Sequence, residues 1–338
     1  MLFTFLVSAV GNSLVIYVIT KNRSMRTSTN YLMVNLAICD LLITVLQAPS
    51  FIKNLHTGFT WFGGTLGNVT CKIFSFAASL LLFCSIFNLV AIAIDRYLAV
   101  TRPLTYKLSS KWAVKIGIPT VWLISSLLSV KAALTPKVLY SGEEKRAECE
   151  TERNSLELSL SLCCLLVSFI VLIVLYSIIC YRLWRRHIPG EVSNNQQALA
   201  IRTARKVTAL MITVVIVFFV SWAPVFIIML LDLIHVRSRD ISSFMDDPIL
   251  FAVTSWLILN SSAFNPCLYF IFIESFRHSL KSACSCLKRL VPESRPCRIG
   301  LESREPMRNR QTLNSFVQEE GAVELMAYSS FHHRVSLS

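Results

Sequence analysis

Seven stretches of the chain stay apolar for longer than a soluble helix needs, and short polar segments separate them. They fall at about residues 1–20, 29–52, 71–97, 114–134, 156–183, 207–233 and 249–273. The third, CKIFSFAASLLLFCSIFNLVAIAIDRY from Cys71 to Tyr97, carries no charge between Lys72 and Asp95. About 25 residues at 1.5 Å each give a helix of roughly 37 Å, enough to cross a bilayer with some tilt. The pattern predicts an all-α membrane protein, a seven-transmembrane helix bundle. A short amphipathic eighth helix is expected to open at Glu274-Ser275-Phe276-Arg277-His278 and end near Cys284 and Cys286. Residues 1–287 then form the bundle. The polar, weakly periodic residues 288–338 form a disordered tail.

Charge orients the bundle. Segments 21–26, 102–115 and 182–206 hold thirteen Lys/Arg against one acid, Glu191. Segments 136–157 and 232–247 hold six Lys/Arg against ten acids. Basic loops stay on the cytosolic side, so the N-terminus is expected outside and the C-terminus in the cytosol of a multi-pass plasma-membrane protein. A signal peptide competes for the first span, but no basic segment precedes it, and Lys21, Arg23 and Arg26 follow it.

Composition agrees with this picture. Charged residues make up 16% of the 338, hydrophobic ones 54%, and mean hydropathy is +0.57, which excludes a soluble enzyme. The formal charge of +13 lies in short inter-span segments and implies no nucleic-acid partner. Of eleven cysteines, Cys39, Cys84, Cys163, Cys164, Cys180 and Cys267 lie inside apolar runs as small hydrophobes. Only Cys71 and Cys149 fall at outer edges. No internal repeat is apparent, which argues against a transporter built from duplicated halves.

A few residues break the apolar pattern. Asp40 stands in the middle of the second span, where a carboxylate is expensive and needs partners. Asn12, Ser85 and Asn265 offer oxygens at similar depth, which fits a hydrogen-bond network, a hydrated cation site or a structural polar cluster. Trp222 precedes Pro224 in the sixth span, and a proline there removes a backbone hydrogen bond and makes a hinge. Asn265-Pro266-Cys267-Leu268-Tyr269 repeats that logic in the seventh, with Tyr176 of the fifth placed to meet Tyr269 through water. Asp95-Arg96-Tyr97 closes the third span; taken alone, its charges also read as interfacial side chains reaching water.

Taken together, these residues resemble a class A, rhodopsin-like G-protein-coupled receptor, most like its peptide-receptor branch, over residues 9–287. The resemblance is carried by Gly11-Asn12, Asn35-Leu36-Ala37-Ile38-Cys39-Asp40, Trp61-Phe62-Gly63, Cys71, Asp95-Arg96-Tyr97, Trp122, Cys149, Ser221-Trp222-Ala223-Pro224, Asn265-Pro266 with Tyr269, and Phe276-Arg277. It implies a Cys71–Cys149 disulfide and a sodium pocket of Asn12, Asp40, Ser85 and Asn265. It implies a packing switch containing Ile86 and Phe218. It also implies an Arg96 held by Asp95 until activation, and palmitoylation at Cys284 and Cys286. The implied partners are an extracellular ligand, a heterotrimeric G protein, arrestin and a receptor kinase at the tail. An allosteric sodium ion is the one implied cofactor. Such receptors usually carry an external tail before the first span, so a longer N-terminus is expected.

Departures from the family pattern narrow the function. Ser168 replaces a usual proline of the fifth helix, which is expected to be straighter. Ala204 stands where an acid often pairs with the arginine, so the silent state is expected to rest on Asp95 alone, with some basal activity. Ala78 occupies the place of the amine-binding aspartate, and Leu259 that of the retinal-binding lysine. An amine or retinal ligand is therefore not expected. Residues 137–149 read as two extended runs around Ser141-Gly142, a hairpin typical of peptide receptors. Gln47, Ser75, Ala78, Glu157, Phe226, Met229, Asp232 and Ser255 are ligand-binding candidates by position. A neuropeptide ligand is expected; a small lipid or indole-like ligand, a non-signalling scavenging receptor and a seven-helix transporter or channel are the rivals. Asn68-Val69-Thr70 is a glycosylation sequon beside Cys71.

Overall fold

The computed structural model describes residues 2–57, 60–141, 146–150, 155–185, 195–234, 248–274 and 276–277. Seven long helices follow the seven apolar runs: α1 (Leu2–Lys21), α2 (Ser28–Thr57), α3 (Gly64–Thr101), α4 (Pro103–Leu134), α5 (Ser155–Arg185), α6 (Asn195–Ile234) and α7 (Pro248–Phe272). Six are long and apolar enough to cross a membrane by length and composition. α7 has the length, with 25 residues, but carries Asn260, Ser261, Ser262 and Asn265 in its second half.

Several helices outrun their apolar segments. α4 starts at Pro103, so 103–113, expected as loop, is helical and only Arg102 separates α3 from α4. Proline suits a first helical turn because its missing N–H has no partner there in any case. α6 starts at Asn195, and Gln196-Gln197-Ala198-Leu199-Ala200 are good helix formers. Hydropathy marks the bilayer slab, whereas propensity and capping set the helix ends. Of the expected eighth helix only Glu274, Phe276 and Arg277 are described; the rest of it, Cys284, Cys286 and the tail 288–338 lie outside the described residues. Beyond α7 the structure places Phe276, which is buried against Tyr269 and Phe270 at centroid distances of 6.1 and 5.7 Å.

α3 is the hub. It packs against α2, α4, α5, α6 and both strands, while α1 packs against α2 and α7, and α6 joins α5 to α7. Polar pairs fix the antiparallel register of α2 on α3. Thr29 hydrogen-bonds Asp95, Asn35 Nδ2 donates to Asn88 Oδ1 at 3.0 Å, and Cys39 Sγ lies 3.5 Å from Cys84 Sγ. Each step forward on α2 is matched by a step back on α3. Asn88 Nδ2 also donates to Leu32 O at 3.0 Å, and Trp122 Nε1 of α4 donates to Asn35 Oδ1 at 2.9 Å, tying three helices together. In lipid such groups have no water to fall back on, so they must be satisfied across helices.

At the end of α3 opposite Arg96, β1 (Lys137–Ser141) and β2 (Arg146–Glu150) form the expected antiparallel hairpin. Its turn at 142–145 lies outside the described residues. Val138 and Ala147 point inward onto Cys71 and Leu139 faces outward, as strand alternation requires, while Tyr140, on the same face as Val138 but nearer the strand end, is exposed.

α1 crosses α7 with no room to spare. A Cβ built on Gly11 would lie 2.7 Å from Cγ of Pro266, whereas one on Gly117 in α4 meets nothing within 4 Å. Gly11→Ala is therefore expected to lower the melting temperature of the purified protein by several degrees, for a cost of about 1–3 kcal/mol. Gly117→Ala is expected to leave it unchanged or slightly higher. A thermal-shift series in detergent checks both.

Candidate functional site

The candidate residues fall into a hairpin end, a polar middle and an Arg96 end. At the hairpin end Cys71 and Cys149 form a disulfide with Cα atoms 5.7 Å apart. Tyr140 OH accepts the Gly64 N–H at 2.8 Å, Asn68 Oδ1 accepts the Val138 N–H at 2.8 Å, and the Trp61 N–H donates to Ala147 O. Thr60 bridges Glu148, so the segment before α3 adds to the β2 edge. Of the ligand candidates, Ser75, Ala78, Phe226 and Met229 are half-buried and Ser255 is buried. The side chains of Gln47, Glu157 and Asp232 lie outside the described residues.

In the middle, Asn265 Nδ2 donates to Asp40 Oδ2 at 2.7 Å, joining α7 to α2, and the Ser262 side chain also hydrogen-bonds the carboxylate. Asn12 Nδ2 donates to Ser262 O and to Ser8 O, both at 3.0 Å, and Ser8 Oγ pairs with Thr44 Oγ1 at 2.7 Å. Asn12 thus stitches α1 to α7. Ser85 is brought level with Asp40 by the neighbouring Cys39–Cys84 contact. Its Oγ and the Asn12 Oδ1 are buried with no hydrogen-bond partner among the described residues. Ser8, Thr44 and Ser262 are additions that no sequence pattern announced.

α6 carries an aromatic column beside this seam. Phe218, Trp222 and Phe226 recur every four residues, with centroids 5.8 and 6.3 Å apart, so they share one face. Ile86, Tyr176, Phe218, Trp222 and Tyr269 belong to a single buried core. Pro224 and Pro266 each lie inside a continuous helix. Ser168, at the vacant proline position, donates to Cys164 O at 2.7 Å.

The Arg96 end differs from expectation. Asp95 Oδ2 accepts hydrogen bonds from Thr29 of α2 and from Tyr106 OH at 3.3 Å, besides lying in the field of Arg96. Burial, reinforced by the charge of Asp95, pushes the Tyr106 phenol well above its ordinary range, so it stays a donor. Neither Thr29 nor Tyr106 was legible as a partner, because each depends on how α2 and α4 sit against α3. α6 makes polar contacts of its own at this end. Lys206 of α6 pairs with Glu274 at 3.4 Å, and Arg277 reaches the same carboxylate at 3.8 Å. Arg205 Nη2 donates to Leu183 O at 2.9 Å and its guanidinium lies 5.4 Å from the Trp184 ring centre, tying α6 to α5. With no acid at 204, basic residues one and two positions later find other partners.

Thr29→Val and Tyr106→Phe each remove one donor from a buried carboxylate, and about 1.5–3 kcal/mol is the usual scale for such bonds. Both are expected to lower thermal stability. Because they share one oxygen, the double variant is expected to depart from the sum of the two single effects, as a thermal double-mutant cycle will show.

The model of the family described as 7 transmembrane receptor (rhodopsin family) matches residues 11–269. The substance-P receptor of Mus musculus is 31% identical over 292 residues, covering 82% of this chain and 68% of that receptor. The neuromedin-K receptor of Cavia porcellus is 30% identical over 285 residues, covering 82% of this chain and 62% of its own length. That of Homo sapiens is 30% identical over 288 residues, with coverages of 82% and 59%. This chain therefore spans about three fifths of the neuromedin-K receptors it matches.

Proposed function

Because the chain belongs to the rhodopsin family of seven-transmembrane receptors, we propose that it is a plasma-membrane receptor for an extracellular peptide that activates a heterotrimeric G protein. The family makes it a signalling receptor rather than an enzyme. The carrying observation is α3 itself: one helix holds the disulfide-tied hairpin at one end and Asp95-Arg96-Tyr97 at the other. Basic segments flank the Arg96 end and acid-rich ones the hairpin end, which supports a cytosolic Arg96 and an external hairpin. The relatives are named for substance P and neuromedin K, both peptides, and the hairpin is the form expected of a peptide receptor.

The mechanism follows from what each end touches. A ligand wedged between the hairpin end and α6 acts on the Phe218–Trp222–Phe226 column, and the prolines at 224 and 266 let α6 and α7 bend. Opening the Arg96 end separates Lys206 from Glu274 and frees Arg96 to contact the G protein. Arrestin and a receptor kinase would act on the same end and on the tail.

A sodium ion is part of this reading. Asp40, Ser85 and Asn265 supply an oxygen set that suits a hard cation, and the orphaned Ser85 Oγ is the observation that fits it. The ion would balance the Asp40 charge within the bilayer. Asp40→Asn is expected to remove any gain in melting temperature on replacing N-methylglucamine chloride with sodium chloride. A sodium effect that survives the substitution contradicts the site.

Coupling is tested in cells challenged with amidated peptides, substance P and neuromedin K among them, beside a lipid and indole set. A peptide response is expected, and Arg96→Ala is expected to abolish it without lowering surface expression. A response confined to the lipid or indole set would replace the peptide reading. Glu274→Gln is expected to raise ligand-free signalling about two- to fivefold, the scale of a half-exposed ion pair. Lys206→Glu combined with Glu274→Lys is expected to bring it back.

A further inference from the structure

We propose that Asn68 is the residue that positions the hairpin on α3, acting through its amide oxygen, and that it carries no glycan although it heads a sequon. The proposal rests on the reading that the hairpin end is extracellular.

The strand register shows why an oxygen is needed there. Tyr140 pairs with Ala147, and Val138 with Cys149. Ala147 spends its carbonyl on the Trp61 N–H, outside the β1–β2 ladder. Pairs alternate along an antiparallel ladder, so Tyr140–Ala147 and its neighbour two residues on, Val138–Cys149, are the non-hydrogen-bonded kind. The Val138 N–H therefore points away from β2. Val138 is only 8% exposed, and a buried N–H without a partner is costly. Asn68 Oδ1 accepts it at 2.8 Å.

Position on the helix adds a second reason. Asn68 and Cys71 are three residues apart and share a face of α3. Cys71 holds Cys149 of β2 covalently, and Asn68 holds Val138 of β1, the residue directly opposite Cys149. One face of one helix therefore grips both strands at the same rung. A disulfide alone leaves the hairpin free to pivot about the sulfurs; the Tyr140–Gly64 bond ties β1 to the start of α3, and the Asn68 bond fixes β1 at the rung of the disulfide itself.

The other polar group of the sequon is also engaged. Thr70 Oγ1 donates to Leu66 O at 2.8 Å and accepts the Trp61 indole N–H at 3.1 Å. The sequon lies within the first two turns of a helix, not in a surface loop. Its side chains do structural work that a bulky sugar beside the hairpin would disturb.

Asn68→Asp and Asn68→Ala separate the two roles. Both destroy the sequon, but only aspartate keeps an oxygen for Val138. The full chain, expressed in mammalian cells and purified with its disulfide intact, is read by gel mobility before and after N-glycosidase and by hydrogen exchange of peptides covering 137–150. No mobility shift is expected. Hairpin exchange is expected to match wild type in Asn68→Asp and to run about five- to tenfold faster in Asn68→Ala. A control sequon made in the turn by Glu143→Asn with Lys145→Thr is expected to shift. Its failure to shift would count against the extracellular reading rather than against Asn68. Wild-type exchange in Asn68→Ala overturns the positioning role. A glycosidase shift at Asn68, with Asn68→Asp behaving like Asn68→Ala, shows that a sugar does the work instead.

Discussion

The bond from Asn35 to Asn88, with Trp122 and Leu32 O completing it, is the constraint on which the bundle depends. Hydrophobic burial does little to tell one helix register from another inside lipid, because tails are as apolar as side chains. Polar groups do discriminate, since a slip of one residue would strand an amide where no water can rescue it. With Asn35 opposite Asn88, Cys39 falls opposite Cys84 one turn away, and Thr29 reaches Asp95 at the helix end. The same rule explains the α1–α7 seam, where Asn12 spans to Ser262 O, and Gly11 there leaves room for the Pro266 ring.

The α2–α3–α4 unit and α6 are tied to their neighbours by polar contacts of different kinds. α6 buries Val207, Leu210, Met211, Val214 and Val215 in the core beside its aromatic column, and its polar contacts to neighbours include an exposed ion pair and an arginine on the end of α5. Exposed polar contacts of that kind can be exchanged at small cost, unlike the buried amides of α2 and α3. A receptor needs that contrast: a fixed spine that holds the ligand end and Arg96 in register, and one helix free to respond. At the hairpin end α3 is held by the disulfide and by the Asn68–Val138 and Gly64–Tyr140 bonds, and at the other by Asp95, which accepts from Thr29 and Tyr106.

Much of this was legible in the sequence. Apolar run length gave the seven helices, and alternation around Ser141-Gly142 gave the hairpin strands. Family resemblance supplied the Cys71–Cys149 pairing, which the structure contains. Asp40 advertised itself by its cost, and its bond to Asn265 was within reach of that argument. What stayed hidden depends on three-dimensional register. Thr29 looked like an ordinary residue at a helix start, and Asn68 looked like a sequon until the strand beside it was seen to need an acceptor. Lys206 and Glu274 are solvated charges 68 residues apart, with nothing local to connect them. The helical reach of 103–113 and 195–206 was missed because hydropathy reports the bilayer and not the helix.

The most direct test of the account is nucleotide exchange with purified components. The chain in lipid nanodiscs would be mixed with a heterotrimeric G protein and a panel of amidated peptides, and the rate of GDP release followed by fluorescence. The account predicts that at least one peptide accelerates release from the wild-type chain and from none of the Arg96→Ala samples. Acceleration that persists without Arg96, or a well-folded chain that binds a peptide and leaves GDP release unchanged across G-protein classes, would contradict it.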